Sequence, residues 1–284
     1  MALLLVALLT LPTTLAAVGL PSLLQGNGAR ATALAGAETA LSAAQALNPA
    51  ARQSRGRSVA FNHQTSIQNI RQNHLHLTQT RGHGTWGLSA QLWQANGLER
   101  RTGPSAEPLG HFGVYEGAIG LSYARQMERT SLGLQLKFIR QSIFTQNASG
   151  LAADLGLVYD VAARLRLGAT VRNLGRMNRL DQRETDLPLE ARFGTAYTGH
   201  ADMLVAVEVQ KARGDDLTLH LGGEYRAGEH LRLRAGYQTT ENRSLSAGLG
   251  LVAKRWVIDY AYVPFSSGLG DAHWLSLQLE SATP

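Results

Sequence analysis

The chain has 284 residues, enough for one large domain or two small ones, and its hydrophobic fraction of 44% is ordinary for a globular protein. It has no cysteine, which excludes disulfide scaffolds, thiolate metal sites and cysteine nucleophiles. Its net charge of +6 arises from arginines spread along the chain without a dense basic run, so we expect no nucleic-acid partner. Beyond residue 25 no apolar run approaches the roughly 20 residues of a membrane-spanning helix, but a transmembrane β-barrel needs only alternate apolar residues.

Residues 1–17 predict a signal peptide. Their apolar core has the length of an export signal and is short for crossing a bilayer. Either Thr14-Leu15-Ala16 or Leu15-Ala16-Ala17 offers small residues for cleavage. No lysine or arginine precedes the apolar core, which departs from the usual pattern of such signals. A buried hydrophobic helix is the alternative interpretation. Export is the interpretation we adopt.

Residues 18–56 predict a small hatch that precedes the barrel wall and lies inside it. The segment is rich in alanine and glycine, and Leu34, Leu41 and Leu47 are spaced to share one side of a helix. Asn48-Pro49 is expected to end that helix, because proline disfavours α geometry in the residue before it. Gly26 and Gly28 do not form a dinucleotide-binding fingerprint, since no strand precedes them.

Residues 57–280 alternate apolar and polar positions, with glycines and charged turns between the runs. Leu132, Leu134, Leu136 and Phe138, for example, alternate with Gly133, Gln135 and Lys137. Period-two runs of about ten residues are longer than sandwich strands and match tilted strands that cross a bilayer. The sequence therefore predicts an all-β fold, a transmembrane antiparallel barrel of about fourteen strands, with a tail at 281–284. The predicted strands begin near Arg57, Ile70, Gly84, Gly117, Thr130, Leu151, Ala163, Leu189, Asp202, Asp216, His230, Ser244, Arg255 and Ala272.

The connections support this interpretation, because short turns follow the even strands and most longer links follow odd ones. The longer links are predicted at Ala95–Glu116, Ser142–Gly150, Asn173–Pro188 and Pro264–Asp271. Barrels with periplasmic turns and outer loops show this alternation.

The face opposite the apolar residues carries many charges, which a sandwich core could not bury unpaired and a barrel lumen could accommodate. The predicted lumen-facing residues are Lys137, Asp154, Arg166, Arg172, Glu208, Glu224, Arg232, Arg234 and Asp259. Tyrosines and tryptophans fall mainly near strand ends, as in interfacial aromatic girdles.

Several motifs resemble those of the PorV/PorQ family and of its wider relatives, the FadL-type transporters. The amino-terminal motif consists of Gly28, Ala29, Arg30 and Ala31 with Asn48, Pro49 and Ala50. Arg172-Asn173-Leu174-Gly175 is similar as well, and so is the carboxy-terminal set of Leu233–Tyr237, Asp259–Phe265 and Leu269–His273. The resemblance covers nearly the whole mature chain and implies a fourteen-stranded outer-membrane barrel of a Gram-negative bacterium whose amino-terminal segment enters the lumen. The chain departs from the pattern in lacking a terminal aromatic residue and in its short length.

The resemblance implies a non-enzymatic barrel that docks exported proteins or components of a secretion machine. The alternative is a FadL-like channel for small hydrophobic molecules, although the expected lumen is polar and basic. Beyond outer-membrane lipid, the expected partners are therefore exported proteins, secretion components or a hydrophobic ligand, with no cofactor. A third possibility, a lipase-like enzyme, lacks the Gly-x-Ser-x-Gly motif, and His74 and His76 have no neighbouring carboxylate with which to bind a metal.

Overall fold

A computed structural model describes residues 19–54, 56–104, 106–180, 185–199 and 202–282; the predicted signal peptide lies outside these residues. Within them, fourteen antiparallel strands close into one barrel, in which each strand pairs with its neighbours in the sequence and the first pairs with the last. The strands are β1 (Gly56–Thr65), β2 (Arg71–Arg81), β3 (Gly84–Arg100), β4 (Gly110–Met127), β5 (Thr130–Ile143), β6 (Gln146–Ala162), β7 (Leu165–Met177), β8 (Glu190–Thr198), β9 (Met203–Ala212), β10 (Thr218–Ala227), β11 (Leu231–Gln238), β12 (Leu245–Ala253), β13 (Trp256–Pro264) and β14 (Asp271–Ala282). The predicted fold is confirmed.

The connections sort to two ends of the barrel. Even strands are followed by turns of two to four residues, and we call this the short-turn end. Most links at the opposite end, the long-link end, are longer, and residues 178–189 form the longest. β1 begins and β14 finishes at the short-turn end, so the chain enters and leaves the wall there.

Two predicted outer links are shorter than expected, because the neighbouring strands continue into them. β3 and β4 extend across most of Ala95–Glu116 and leave only residues 101–109 as a link, with a register shift between Ala95 and Leu98. β5 and β6 likewise continue through Ser142–Gly150 to a two-residue turn. β3 to β6 therefore have 14 to 18 residues, whereas β8 to β13 have 8 to 10.

The outer surface of the wall is an apolar belt. Leu132, Leu134, Leu136 and Phe138 of β5 are all exposed, while the residues between them face inward. Outward aromatic residues lie close to the short turns: Trp86, Tyr123, Tyr159, Tyr197, Tyr225 and Trp256. An exposed apolar band that ends in aromatic side chains is the surface that a transmembrane barrel presents to lipid.

The hatch contains less helix than the sequence predicts. The only α-helix in the described residues, α1, comprises Ala29–Ala33, and single 3₁₀ turns occur at Pro21–Leu24, Pro49–Ala51 and Ile67–Asn69. α1 ends because Ala35 and Gly36 have left-handed backbones, and the Gly36 amide donates to the Ala31 carbonyl at 2.8 Å. A helix that included all three leucines is therefore a wrong prediction: Leu34 and Leu41 instead pack on Ala196 and Ala206 of the wall.

No helix in the described part of the chain is long and apolar enough to span a membrane.

Candidate functional site

The hatch, which in the structure comprises residues 19–54, lies inside the barrel. Its first residues lie near the long-link end, where the Gly19 amide donates to the Asp186 carbonyl of the link between β7 and β8. α1 contacts β11 to β14, and the turn at Pro49–Ala51 contacts β4 to β6. Ser54 then reaches the short-turn end, and its hydroxyl donates to the Gly56 carbonyl at the start of β1. The hatch thus crosses the lumen along its length.

Inward-facing glycines of the wall make room for the hatch backbone. A Cβ atom on any of them would collide with the hatch; they are Gly133, Gly156, Gly168, Gly222, Gly236 and Gly248. On Gly222, for example, that atom would lie 2.8 Å from the carbonyl oxygen of Leu34. Interiors pack densely, so such complementarity fixes the hatch in one position.

Asn48 of the predicted hatch motif connects the hatch to two strands. Its side-chain amide donates to the carbonyls of Thr39, Leu157 and Ala169 at 2.9, 3.2 and 3.4 Å. Its side-chain oxygen accepts from the Ala50 amide at 3.0 Å and begins the turn at Pro49. Asn48 is fully buried, so these hydrogen bonds satisfy groups that water cannot reach.

A ladder of buried ion pairs crosses β5 to β9. Lys137 pairs with Asp154 at 2.7 Å, and Arg172 contacts both Asp154 and Glu190. Arg192 pairs with Glu190 and with Glu208 of β9, each at 2.9 Å. Each charged side chain of this ladder has a partner of opposite charge, as buried charges require. The Nε atoms of Arg172 and Arg192 make no hydrogen bond within the described residues.

Arg192 and its neighbours also bind the hatch. The Arg192 guanidinium donates to the carbonyls of Leu24 and Gly36 at 3.2 and 3.3 Å. Glu208 accepts from the Thr39 amide at 2.8 Å, and a ring nitrogen of His220 lies 2.6 Å from the Ala35 carbonyl oxygen. The ladder therefore anchors the middle of the hatch as well as bridging strands.

A second network joins the hatch to β10, β11 and β13. Arg30 of α1 pairs with Glu224 at 2.9 Å, and Arg234 pairs with Glu224 at 2.7 Å and with Asp259 at 2.6 Å. The Ala29 amide at the start of α1 donates to the Ser276 hydroxyl at 2.8 Å.

Asn173 marks a bulge where two residues of β7 oppose Asp154 of β6. Its backbone is left-handed, its amide donates to Asp154 at 2.8 Å, and its side chain contacts Lys137 and the Pro188 carbonyl. The Arg172-Asn173-Leu174-Gly175 motif thus builds the junction between the ion-pair ladder and the link between β7 and β8.

An apolar cluster lies inside the lumen toward the long-link end. Leu20 and Leu23 of the hatch pack there, and the wall and the link between β7 and β8 contribute Ala118, Ile139, Ala152 and Leu187. All six residues are buried, so the chain itself occupies this apolar site.

Glu38 of the hatch is buried, and one of its carboxylate oxygens lacks a hydrogen-bond partner in the described chain. Burial raises the pKa of Glu38 to about 7, because the positive charge of Arg192 only partly offsets the loss of water and Glu208 adds a like charge.

The structure places the nine predicted lumen residues on inward-facing positions, although not equally deep. Arg166 is half-buried and pairs with Asp160 at 2.6 Å, and half-buried Arg232 lies at the short-turn end. Glu190, Glu38 and the fit of the wall glycines to the hatch were not predicted from the sequence. Arg192 is inward-facing as well, as its place in the period-two pattern predicts.

No metal centre appears among the described residues, in which no three histidine or acidic side chains converge. His74 and His76 stack with ring centroids 6.0 Å apart, both buried in the lumen.

Solved structures with a similar fold include transporters and channels. The Ralstonia pickettii toluene transporter TbuX has a TM-score of 0.71 at 15% identity, over 90% of this chain and 99% of that one. The CymD monoaromatic hydrocarbon channel has a TM-score of 0.68 at 14% identity, over 91% of this chain and 98% of that one. A Pseudomonas aeruginosa FadL homologue has a TM-score of 0.63 at 13% identity, over 90% of this chain and 98% of that one. No protein-family model matches the sequence, and no curated protein matches it either.

The fold and the lumen together define a transmembrane β-barrel closed internally by its own amino-terminal segment. More specifically, the chain has the fourteen-stranded fold of the FadL-type outer-membrane barrels.

Proposed function

We propose that this protein is an outer-membrane channel of a Gram-negative bacterium that admits small hydrophobic molecules past its hatch. The proposal is supported by the shared fold, whose other members include a toluene transporter and a monoaromatic hydrocarbon channel. The apolar belt fits a lipid environment, and the export signal predicted at residues 1–17 is compatible with it. The short-turn end then faces the periplasm. The sequence motifs favoured a docking barrel, and a channel for small hydrophobic molecules was the alternative.

The observation that carries the proposal is the apolar cluster beneath the outer links. Leu20 and Leu23 fill a site whose wall includes Ile139, directly under the link that contains Leu187. A small hydrophobic molecule that displaced these leucines would find a site already shaped for apolar groups. Beyond this cluster the hatch packs against the wall through the rest of the lumen, so onward passage requires the hatch to move.

Uptake of radiolabelled toluene by cells that express the protein, compared with cells carrying an empty vector, tests this function. Ile139→Gln places an amide in the apolar cluster and should lower uptake about tenfold, the factor given by ~1.4 kcal/mol of lost apolar contact. Leu109→Gln, at an exposed position in the link between β3 and β4, is the matched control and should leave uptake unchanged. Uptake no faster than with empty vector would refute the proposal.

Docking of an exported protein, the function implied by the PorV/PorQ resemblance, is a second candidate. The long β3–β4 and β5–β6 hairpins extend beyond their neighbours and expose Phe144 at a tip, where Arg100 lies 5.0 Å from the ring centroid. A photo-crosslinking residue at position 144 should capture an exported protein in native cells, and one at position 128, in a short turn, should not. Equal capture or none would remove this candidate. Neither proposed function involves catalysis.

A further inference from the structure

A cavity of about 510 Å³ opens at the short-turn end, between the hatch and strands β10 to β14. Six cationic and four acidic side chains line it. Two of the cations, Arg30 and Arg234, are neutralised by Glu224 and Asp259 in the second network. The remaining acids are Glu38, which is buried on the hatch side, and Glu280, which accepts from Gln278 at 2.7 Å.

Four cations at the mouth of this cavity form no ion pair within the described residues: Arg226, Arg232, Lys254 and Arg255. Arg232 donates only to carbonyls of its own hairpin, at Gly228 and Leu231. Deeper in the lumen, by contrast, Arg172 and Arg192 each contact two carboxylates. The lining of the cavity therefore has an excess of positive charge, six cations against four acids, and the four cations without an ion pair lie at its mouth.

The strand register brings these charges together. Arg226 of β10 and Arg232 of β11 are direct cross-strand partners, and both face the lumen. Like charges at such a position destabilise a sheet unless an anion lies between them. Lys254 and Arg255 form the turn of the adjacent β12–β13 hairpin and line the same cavity.

We propose that this cavity binds a small polyanion from the periplasmic side, with two or more carboxylate or phosphate groups. The guanidinium groups of Arg226 and Arg232 bind its charged oxygens, as arginine forks bind carboxylate and phosphate generally. The volume suits a molecule of metabolite size. This site is separate from the apolar cluster, and a neutral hydrocarbon has no charged group that its cations could bind.

Isothermal titration calorimetry of the full-length barrel in a non-ionic detergent tests the site with two probes, sodium pyrophosphate and sodium citrate. Saturable binding of one ion per barrel is expected, and the stronger probe shows whether phosphate or carboxylate is the natural group. The double variant Arg226→Gln with Arg232→Gln should weaken binding about tenfold or more, because it removes two charge-assisted contacts. A second double variant, Lys254→Gln with Arg255→Gln, should weaken it in the same direction.

Arg129→Gln with Arg164→Gln is the matched control. It removes the same charge from two exposed short turns on the other side of the same rim, and should leave the dissociation constant within about twofold. All four positions of the test variants lie at the mouth of the cavity. Folding of each variant is checked independently by heat-modifiable gel mobility. No saturable binding of either probe, or an equal loss in the control, would overturn the proposal. Because neither result involves toluene uptake, failure of the anion site is distinguishable from failure of the channel function.

Discussion

Asn48 of the hatch and Gly156 of β6 depend on each other, because a Cβ atom on Gly156 would collide with the Asn48 side-chain oxygen. The two residues are 108 positions apart in the chain. Asn48 also donates to the carbonyl of Leu157, the residue after the glycine. The contact shows how a wall of antiparallel strands recognises one particular hatch.

Gly156→Ala should therefore loosen the hatch. Overpacking of this kind costs about 1–3 kcal/mol, and the urea midpoint of unfolding should fall accordingly. Gly223→Ala in β10 is the control, because the nearest atom to its added methyl group lies 4.0 Å away. Equal midpoints for the two variants would show that the Asn48 contact does not constrain the hatch.

Arg192→Met should be among the most destabilising substitutions in the lumen. It leaves Glu190 and Glu208 buried without their shared partner, a change that typically costs about 3–5 kcal/mol. The hatch also loses the hydrogen bonds that the guanidinium donates to the carbonyls of Leu24 and Gly36. Denaturant unfolding measures the loss, and exposed Arg164→Met should change stability by no more than about 0.5 kcal/mol. Similar losses at both positions would contradict the anchoring role of the ladder.

Leu134→Arg tests the outward face. Leu134 is 43% exposed in the middle of β5, where an arginine near the centre of the bilayer costs about 2–4 kcal/mol. Assembly into lipid vesicles should fall, as measured by heat-modifiable mobility. Leu109→Arg, in an outer link, should assemble normally. If Leu134→Arg assembles as well as the link variant, β5 does not face lipid at this position.

Glu38 gives the hatch a pH dependence. The folded protein holds a proton on Glu38 up to a pKa of about 7, whereas the unfolded chain releases it near 4.5. The contribution of this residue to the free energy of unfolding should therefore fall as pH rises from 4.5 to 7 and stay low above that. The difference between wild type and Glu38→Gln, measured by urea unfolding across this range, should change accordingly. Glu229→Gln, in an exposed turn, should show no such trend, and a flat difference for Glu38→Gln would refute the assignment.

The strands were largely predictable because burial in a barrel is periodic. The predicted start lies within two residues of the observed one for every strand except β4 and β6. Those two begin at Gly110 and Gln146. The first residues of β6 are polar or small on both faces, and in the first residues of β4 apolar and polar side chains mix on each face, so the alternation that reveals a strand is lost. These segments lie beyond the apolar belt, where no lipid selects one face.

The hatch was predictable in position and not in shape. Its conformation depends on contacts such as those of Leu34 with Gly222 and of Thr39 with Glu208. In each pair the two residues are more than a hundred positions apart in the chain. No local pattern encodes such partners. The end of α1 had a local signal, Gly36, whereas the predicted helix was extended through it to Leu47.

The most direct test of the central claim, that the hatch closes the lumen, is the conductance of single barrels in planar bilayers. Full-length protein should show no steady ion current, because the hatch and the ion-pair ladder fill the bore. A variant that lacks residues 26–50 should form a barrel with a stable open conductance. If the deleted form inserts and conducts no better than the full-length protein, the wall closes without the hatch, and the claim that the hatch closes the lumen is contradicted.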